Sequence, residues 1–443
     1  MADITGEATE LLQHLIRNAC VNDGSPDSGG ESRSVETLAA FLGHPEIERY
    51  EAHPGRENLI ARIEGSDPKA PTLLLMGHTD VVPVNADRWR RDPFGGELVD
   101  GEVWGRGAVD MLDITSTMAV AFRRLAREGF RPKGTLAYLA VADEEALGKF
   151  GADWLLEREP DAVRADYVIT EVGGARLPLP TPGPRLPVGV AEKGSYWCTL
   201  RFRGTPGHAS RPFRSDNALV KAAEGIHRIH ERTPETRVQD TWQQFVEGLD
   251  LEPDLTEALT DPERVVETAE SHPEEGLARM MHACTHMTAS PTMASAGVKT
   301  NVIPDTADIQ LDIRTLPGQS SDEVRAWLRD TLGDLWPDVE VSEDAAEDAT
   351  VSPTETPLWH SLQRVSEALV PEARIVPTMF TGATDARFFR RKGVTSYGYA
   401  LLSERIDFND FVSMFHGDDE RVDQESLRLS TEMWMALARD FLG

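Results

Sequence analysis

Over the first 190 residues the apolar positions switch repeatedly between two periods. Residues 4–19 place Ile4, Ala8, Leu11, Leu12, Leu15 and Ala19 at helical spacing, which predicts an amphipathic opening helix. Short apolar runs at 72–76, 135–141 and 167–169 are strand-sized and predict buried strands. Residues 98–104, with Asp100 and Gly101 at the centre, predict a hairpin. Residues 114–127 carry an apolar stripe at Ile114, Met118, Val120, Ala121 and Leu125, with Asp113 standing where a helix N-cap belongs. Alternating helices and buried strands predict an α/β sheet with helices on both faces.

A Gly/Pro-rich stretch at 173–190 marks the expected boundary of this unit. Beyond it the pattern is a strand (196–203), the loop GTPGHASRP, a helix (217–232), strands at 293–299 and 305–314, and a helix at 322–332. Ser320 and Glu323 form a capping box for the last helix. This order predicts a two-layer α+β unit of ferredoxin-like type. An acidic, Pro-containing stretch at 342–357 is expected to return the chain to the first unit. The expected architecture is a split catalytic domain (1–190 and 350–443), a mixed sheet flanked by helices, with a smaller domain (191–349) inserted. The acidic helical stretch 240–284 falls within the smaller domain's span but exceeds what such a domain needs, and is expected to form part either of the substrate pocket or of the dimer surface.

Composition narrows the function. At 443 residues, two domains are the default, and 40% hydrophobic with 27% charged residues is ordinary for a globular protein. A formal net charge of −30 argues against nucleic acid or an anionic membrane as partner. No apolar run is long enough to span a bilayer, and no basic start precedes an apolar run, so a cytoplasmic protein is expected. Cys20, Cys198 and Cys284 are odd in number and far apart, which speaks against a disulfide framework or thiolate metal site.

The chemistry-bearing residues gather at strand ends: His78 and Asp80 in GHTDVVPV, Asp110 in GRGAVDMLD, Glu144 and Glu145 in ADEEALG, Glu171 in VITEVGG, and His416 in MFHGDDER. Each has a plain alternative: Asp110 as a helix N-terminal charge, the Glu pair as a solvated acidic turn, His416 as an ordinary loop histidine. Together they supply two imidazoles and three carboxylates beyond a base and an orienting group, enough for two divalent cations that share one carboxylate. Such N and O donors suit zinc, with cobalt or manganese as substitutes. Asp80, two residues after His78, is placed to accept a hydrogen bond from the imidazole. In the second unit His208 follows Gly207, Asn301 follows Thr300, and Arg314 ends a strand, where an Arg is either a surface residue or a carboxylate clamp. The turn TGATD presents Gly382, whose backbone a ligand can approach closely.

From about Arg56 to His416, GHTDVVPV, GRGAVDM, the Glu pair, GHAS, NVIP, DIRTLPG, TGATDARFF and the terminal His together resemble the dinuclear zinc amidohydrolases. That family includes aminoacylase, glutamate carboxypeptidase, acetylornithine deacetylase and succinyl-diaminopimelate desuccinylase. The resemblance implies two Zn2+ ions, one on His78 and Glu171, the other on Glu145 and His416, with Asp110 bridging. It implies that Asp80 orients His78, that Glu144 is general base and acid, and that Asn301, Arg314 and Gly382 hold a substrate carboxylate. It also implies a homodimer whose smaller domains pair, so that His208 reaches the other subunit's site. Glu at 171 resembles the carboxypeptidase and deacylase branch, whereas dipeptidases and aminopeptidases tend to have Asp. Leu112 and Asp113 depart from the family's usual Lys-Gly. The expected activity is zinc-dependent cleavage of an amide next to a free carboxylate in an acylated amino acid or peptide. The alternatives are a dipeptidase or aminopeptidase of the same family, or a non-catalytic binding protein on this fold.

Overall fold

A computed structural model describes residues 3–44, 46–179 and 181–443. Its larger layer is a nine-stranded mixed sheet. At its centre Thr135–Val141, Thr72–His78, Tyr167–Thr170 and Thr395–Gly398 run parallel to one another in that order. Arg56–Ile63 and Ile47–His53 extend one side in antiparallel fashion, and Arg185–Glu192 pairs on the other.

Alternation along the central strands explains why both faces are covered. Leu73, Leu75, Leu136, Tyr138 and Ala140 face a core shared with helices Ile4–Asn18, Leu112–Arg127 and Gln424–Leu442. The intervening Leu74, Met76, Ala137, Leu139 and Val141 face a second cluster with Leu155, Phe388 and Phe389. Side chains of a strand alternate by two, so a continuous apolar run fills both sides at once. The expected hairpin forms between Glu97–Val99 and Glu102–Trp104, and Asp100 and Gly101 both take positive φ, at 52° and 86°.

The smaller layer is a four-stranded antiparallel sheet of Thr288–Ala296, Thr306–Thr315, Gly194–Arg203 and Val339–Glu347. Ala218–Glu231 and Ser321–Leu332 pack on it around Phe202, Leu311, Ile313, Val324 and Leu328. The Asn217 and Ser320 side chains cap these helices at Leu219 and Glu323. Strand–helix–strand–strand–helix–strand with this spatial order is the expected ferredoxin-like arrangement.

Four expectations need correction. The Gly/Pro-rich stretch is not a simple connector: residues 185–192 form a fully buried strand of the large sheet, parallel to Arg374–Phe380. Residue 180, inside that stretch, lies outside the described residues. Residues 342–347 belong to the edge strand Val339–Glu347 rather than to a return loop, because they still pair with Gly194–Arg203 in register on either side of a bulge between Glu343 and Ala345. The acidic helices of 240–284 do not pack on the smaller sheet. Trp242, Phe245, Val246, Leu249, Leu259, Val265, Met281 and Cys284 bury themselves in the core of the large one, and Gly248 lies against Val376. Finally, Asp113 is no N-cap. The helix begins at Leu112, after Met111, and carries Asp113 buried in its first turn. Among the described residues, no helix is long and apolar enough to cross a membrane.

Candidate active site

Three adjacent parallel strands deliver ligating groups to one edge. His78 ends its strand, the Glu pair follows Val141, and Glu171 follows Thr170, at the carboxyl ends where α/β sheets place ligands. Gly77 is needed here: a Cβ would lie 2.3 Å from the Thr115 Oγ1, which donates to the His78 carbonyl at 2.8 Å. Glu144–Ala146 is a short helical turn between Asp143 and Leu147, both with positive φ.

Two clusters of ligating atoms result, His78 with Asp110 and Glu171, and Asp110 with Glu145 and His416. Within each, the donor atoms lie within 4.8 Å of one another. The His78 Nε2 is 3.3 Å from the Asp110 Oδ1 and 3.8 Å from the Glu171 Oε2. The His416 Nε2 is 3.3 Å from the Asp110 Oδ2 and 3.1 Å from the Glu145 Oε2. Asp110 thus turns one oxygen to each imidazole. The buried Glu145 Oε1 has no hydrogen-bond partner among the described residues. Carboxylates and imidazoles at this spacing fit two divalent cations that share Asp110.

The electrostatics follow from burial. Desolvation pushes Glu144, Glu145 and Glu171 above the ordinary carboxylate range. Burial acts in the same direction on Asp110, but its hydrogen bonds to His416 and His78 win and hold it low. Hydrogen bonds to Asp110 and Glu145 raise His416 to about 10. His78 loses basicity to burial, yet Asp110 and the surrounding carboxylates raise it overall. Crowded buried charges of one sign are the environment a cation relieves.

Asp80 is beside His78, with one difference from expectation. The His78 Nδ1 lies 2.9 Å from the Asp80 main-chain oxygen and 3.6 Å from its carboxylate. The carboxylate instead accepts from Asn22 (2.9 Å) and from the backbone N–H groups of Glu144 and Glu145 (3.3 and 3.2 Å). It fixes the turn that carries the Glu pair.

Several supporting residues carried no readable signal. Glu420 accepts the N–H groups of Gly107, Val109 and Asp110 and pairs with Arg106 at 2.8 Å, holding the Asp110 loop. Arg56 bridges Glu31 and Asp143, each at 2.7 Å, and Asp143 also accepts from Asn22. Asp385 is buried with both oxygens unpartnered among the described residues, and burial raises it to about 7. Burial likewise raises Asp113 to about 8.

A cavity of about 950 Å³ opens over the clusters and is lined by Asp110, Glu144, Glu145, Glu171 and His416. Arg314 and Gly382 also line it, and so does Arg387, which sequence reasoning missed. The Arg314 guanidinium is held by Asp312 through Nε (2.7 Å) and Nη2 (3.0 Å), leaving Nη1 for another partner. At Gly382 a Cβ would meet the Phe380 ring at 2.7 Å. His208 and Asn301 are not in the lining. His208 pairs with Val302 on the short ladder between Gly207–His208 and Val302–Ile303, the Asn301 carbonyl accepts the Ala209 N–H at 3.1 Å, and the His208 side chain is exposed, bonded to Ser210.

The sequence matches the model of peptidase family M20/M25/M40 over residues 74–440. The chain belongs to this family. As an M20 peptidase it is a hydrolase acting on amide or peptide bonds. It is 26% identical over 435 residues to aminoacylase-1 of Mus musculus, covering 96% of this chain and 93% of the relative. It is 27% identical over 413 residues to the N-fatty-acyl-amino acid synthase/hydrolase PM20D1 of Xenopus tropicalis, covering 88% and 76%. The crystal structure of the M20 family metallo-carboxypeptidase Sso-CP2 from Sulfolobus solfataricus superimposes with a TM-score of 0.72 at 17% identity, covering 100% of this chain and 99% of that one. The M20 fold of a catalytic domain plus a lid domain accounts for the two sheets.

Proposed function

We propose that this M20 peptidase is a dinuclear zinc amidohydrolase that cleaves an amide next to a free carboxylate, as an N-acyl-amino-acid deacylase or a carboxypeptidase. The observation that carries the reading is Asp110, whose two oxygens face His78 and His416, with Glu144 in the same cavity. His78 and Glu171 would hold one cation, Glu145 and His416 the other. When bound, the pair would supply Lewis acidity and a nucleophile at neutral pH.

The remaining chemistry falls to side chains. Glu144, half-buried in the cavity lining, takes the proton of the attacking water on a carboxylate oxygen and returns it to the leaving nitrogen. Asp80 holds the Glu144 turn through two N–H groups, so the base keeps its aim. Arg314, with Nη1 free, and the backbone at Gly382 bind the substrate carboxylate. Asn301 and His208 complete the site when two copies pair through their smaller domains, His208 then donating to the developing oxyanion of the other copy. The exposure of His208, and of Phe213 at 83%, suits such a pairing.

The test is a panel of N-acyl amino acids, their carboxamides and unblocked dipeptides, assayed with zinc, cobalt and manganese. Acylated or peptidic substrates with a free carboxylate should be turned over best. Arg314→Ala should weaken kcat/KM for these far more than for the carboxamides, and an equal loss on both removes Arg314 from carboxylate binding. Preference for unblocked dipeptides would replace the reading with a dipeptidase. Mixed His208→Ala and Glu144→Gln subunits should recover activity, and no recovery after proven exchange would mean that each subunit is self-sufficient.

A further inference from the structure

We infer that the cavity is built for a substrate carrying a long or bulky apolar group, which lies against a wall made by Phe245, Met280, Phe408, Phe411, Val412 and Phe415. The inference rests on the amide-hydrolase reading and specifies its substrate class.

The cavity's size is the first argument. About 950 Å³ is at the upper end of the roughly 300–1,000 Å³ of small-molecule pockets, far more than an acetylated small amino acid fills. The lining is the second. Apart from the ligating carboxylates, Glu144, Glu347, His416 and three arginines, the lining is mostly apolar. Part of that wall faces solvent: Val412 is 54% exposed and Leu147 37%, both on the lining. The Phe411 and Phe415 rings meet edge to face at 5.0 Å, forming a stiff surface rather than a loose one.

The third argument is where the wall comes from. Phe245, itself 4% exposed at the margin of the large core, and Met280 are supplied by the acidic helices between residues 240 and 285, which Trp242, Val246 and Met281 lock into that core. Lys193 ties the end of helix Glu275–Thr285 down, donating to the Ala283 and His286 carbonyls at 2.9 and 2.7 Å. The wall is thus anchored independently of any ligand and is continuous with the catalytic groups, so an apolar chain can cover it while its amide reaches Glu144. Burying that surface drives binding in proportion to the area removed from water.

The apolar group belongs either to the acyl chain or to the amino-acid side chain, and one assay separates them. It compares N-acetyl-, N-octanoyl- and N-dodecanoyl-alanine with N-acetyl-tryptophan. Each buried methylene can raise kcat/KM by up to about fourfold, so at least a tenfold rise from acetyl to dodecanoyl is expected. A tenfold preference for N-acetyl-tryptophan over N-acetyl-alanine, with no chain-length effect, assigns the wall to the side chain. Equal kcat/KM across the whole set overturns the inference while leaving the amidohydrolase reading intact. Val412→Asp and Met280→Glu should each lower the ratio of dodecanoyl to acetyl turnover about tenfold, and an unchanged ratio in both counts against the wall. If no amide is hydrolysed, equilibrium binding to the Glu144→Gln protein decides separately. Dodecanoyl-alanine should bind at least tenfold tighter than acetyl-alanine, and equal binding overturns the inference.

Discussion

Glu420 accepts the backbone N–H of Asp110 at 3.0 Å although 310 residues separate them in the chain. The same carboxylate takes two further N–H groups of the Asp110 loop and neutralises Arg106, itself 2% exposed. Asp110 can turn an oxygen to each histidine only because this loop is pinned from behind. Supporting hydrogen bonds of this kind typically tune metal affinity 10- to 100-fold. Glu420→Ala should weaken divalent-metal binding by about that factor and destabilise the fold by about 3–5 kcal/mol, the effect of leaving a buried charge unpaired. Metal titration and denaturant unfolding measure the two losses, and native affinity in the variant would deny Glu420 its anchoring role.

Glu144→Gln keeps the shape of the cavity lining and removes the proton acceptor. It should bind metal as the parent does and lose about 10²–10⁴ in kcat with little change in KM. Turnover at the parental rate would take Glu144 out of the chemistry.

Bound cations must displace protons. Glu144, Glu145 and Glu171 are raised by burial, and His416 is raised to about 10 by its bonds to Asp110 and Glu145. His416 therefore carries at pH 7 a proton that a divalent cation must expel. Chelation should abolish activity, zinc should restore it, and affinity should fall as the pH drops below about 10. Calorimetry in buffers of differing ionisation enthalpy counts the protons released; identical heats in every buffer would contradict the exchange.

His286 makes stability acid-sensitive at a distance from the cage. Its Nε2 meets the Thr236 hydroxyl at 2.9 Å, its Nδ1 meets the His282 carbonyl at 3.0 Å, and the two rings stack at 4.3 Å. Burial first, then His282, depresses its pKa to about 4. The unfolded chain, with a value of about 6.5, binds the proton first. The stability contributed by neutral His286 is therefore whole above pH 6.5 and is lost as the pH falls through about 4. His286→Gln should lower Tm at pH 7, and the gap to the parent should narrow toward pH 4.5. A gap of constant size would uncouple His286 from acid unfolding.

What was legible in the sequence lay at the ends of buried strands. The runs leading to His78, the Glu pair and Glu171 are apolar on both faces, so their polar terminal residues had one place to go, the carboxyl edge of the sheet. Long-range support was not legible. Glu420 sits in the run GDDE and looks like any surface acid until Arg106 and three N–H groups arrive from elsewhere in the chain. Glu31, Arg56 and Asp143 come from three separate elements for the same reason. The acidic helices of 240–284 lie within the inserted span in sequence, but Trp242, Phe245 and Val246 bury themselves in the large core, a long-range packing that the local pattern does not announce. Asp113 looked like a cap because Asp favours that position, yet the helix starts one residue earlier and buries it.

Residues 240–285, which donate Phe245 and Met280 to the apolar wall, supply none of the atoms that gather around Asp110. Part of the appetite is accordingly written in a stretch of the gene product apart from the reactivity. Mutational drift in those helices can redirect the diet of the protein from one amide to another while the scissors stay sharp.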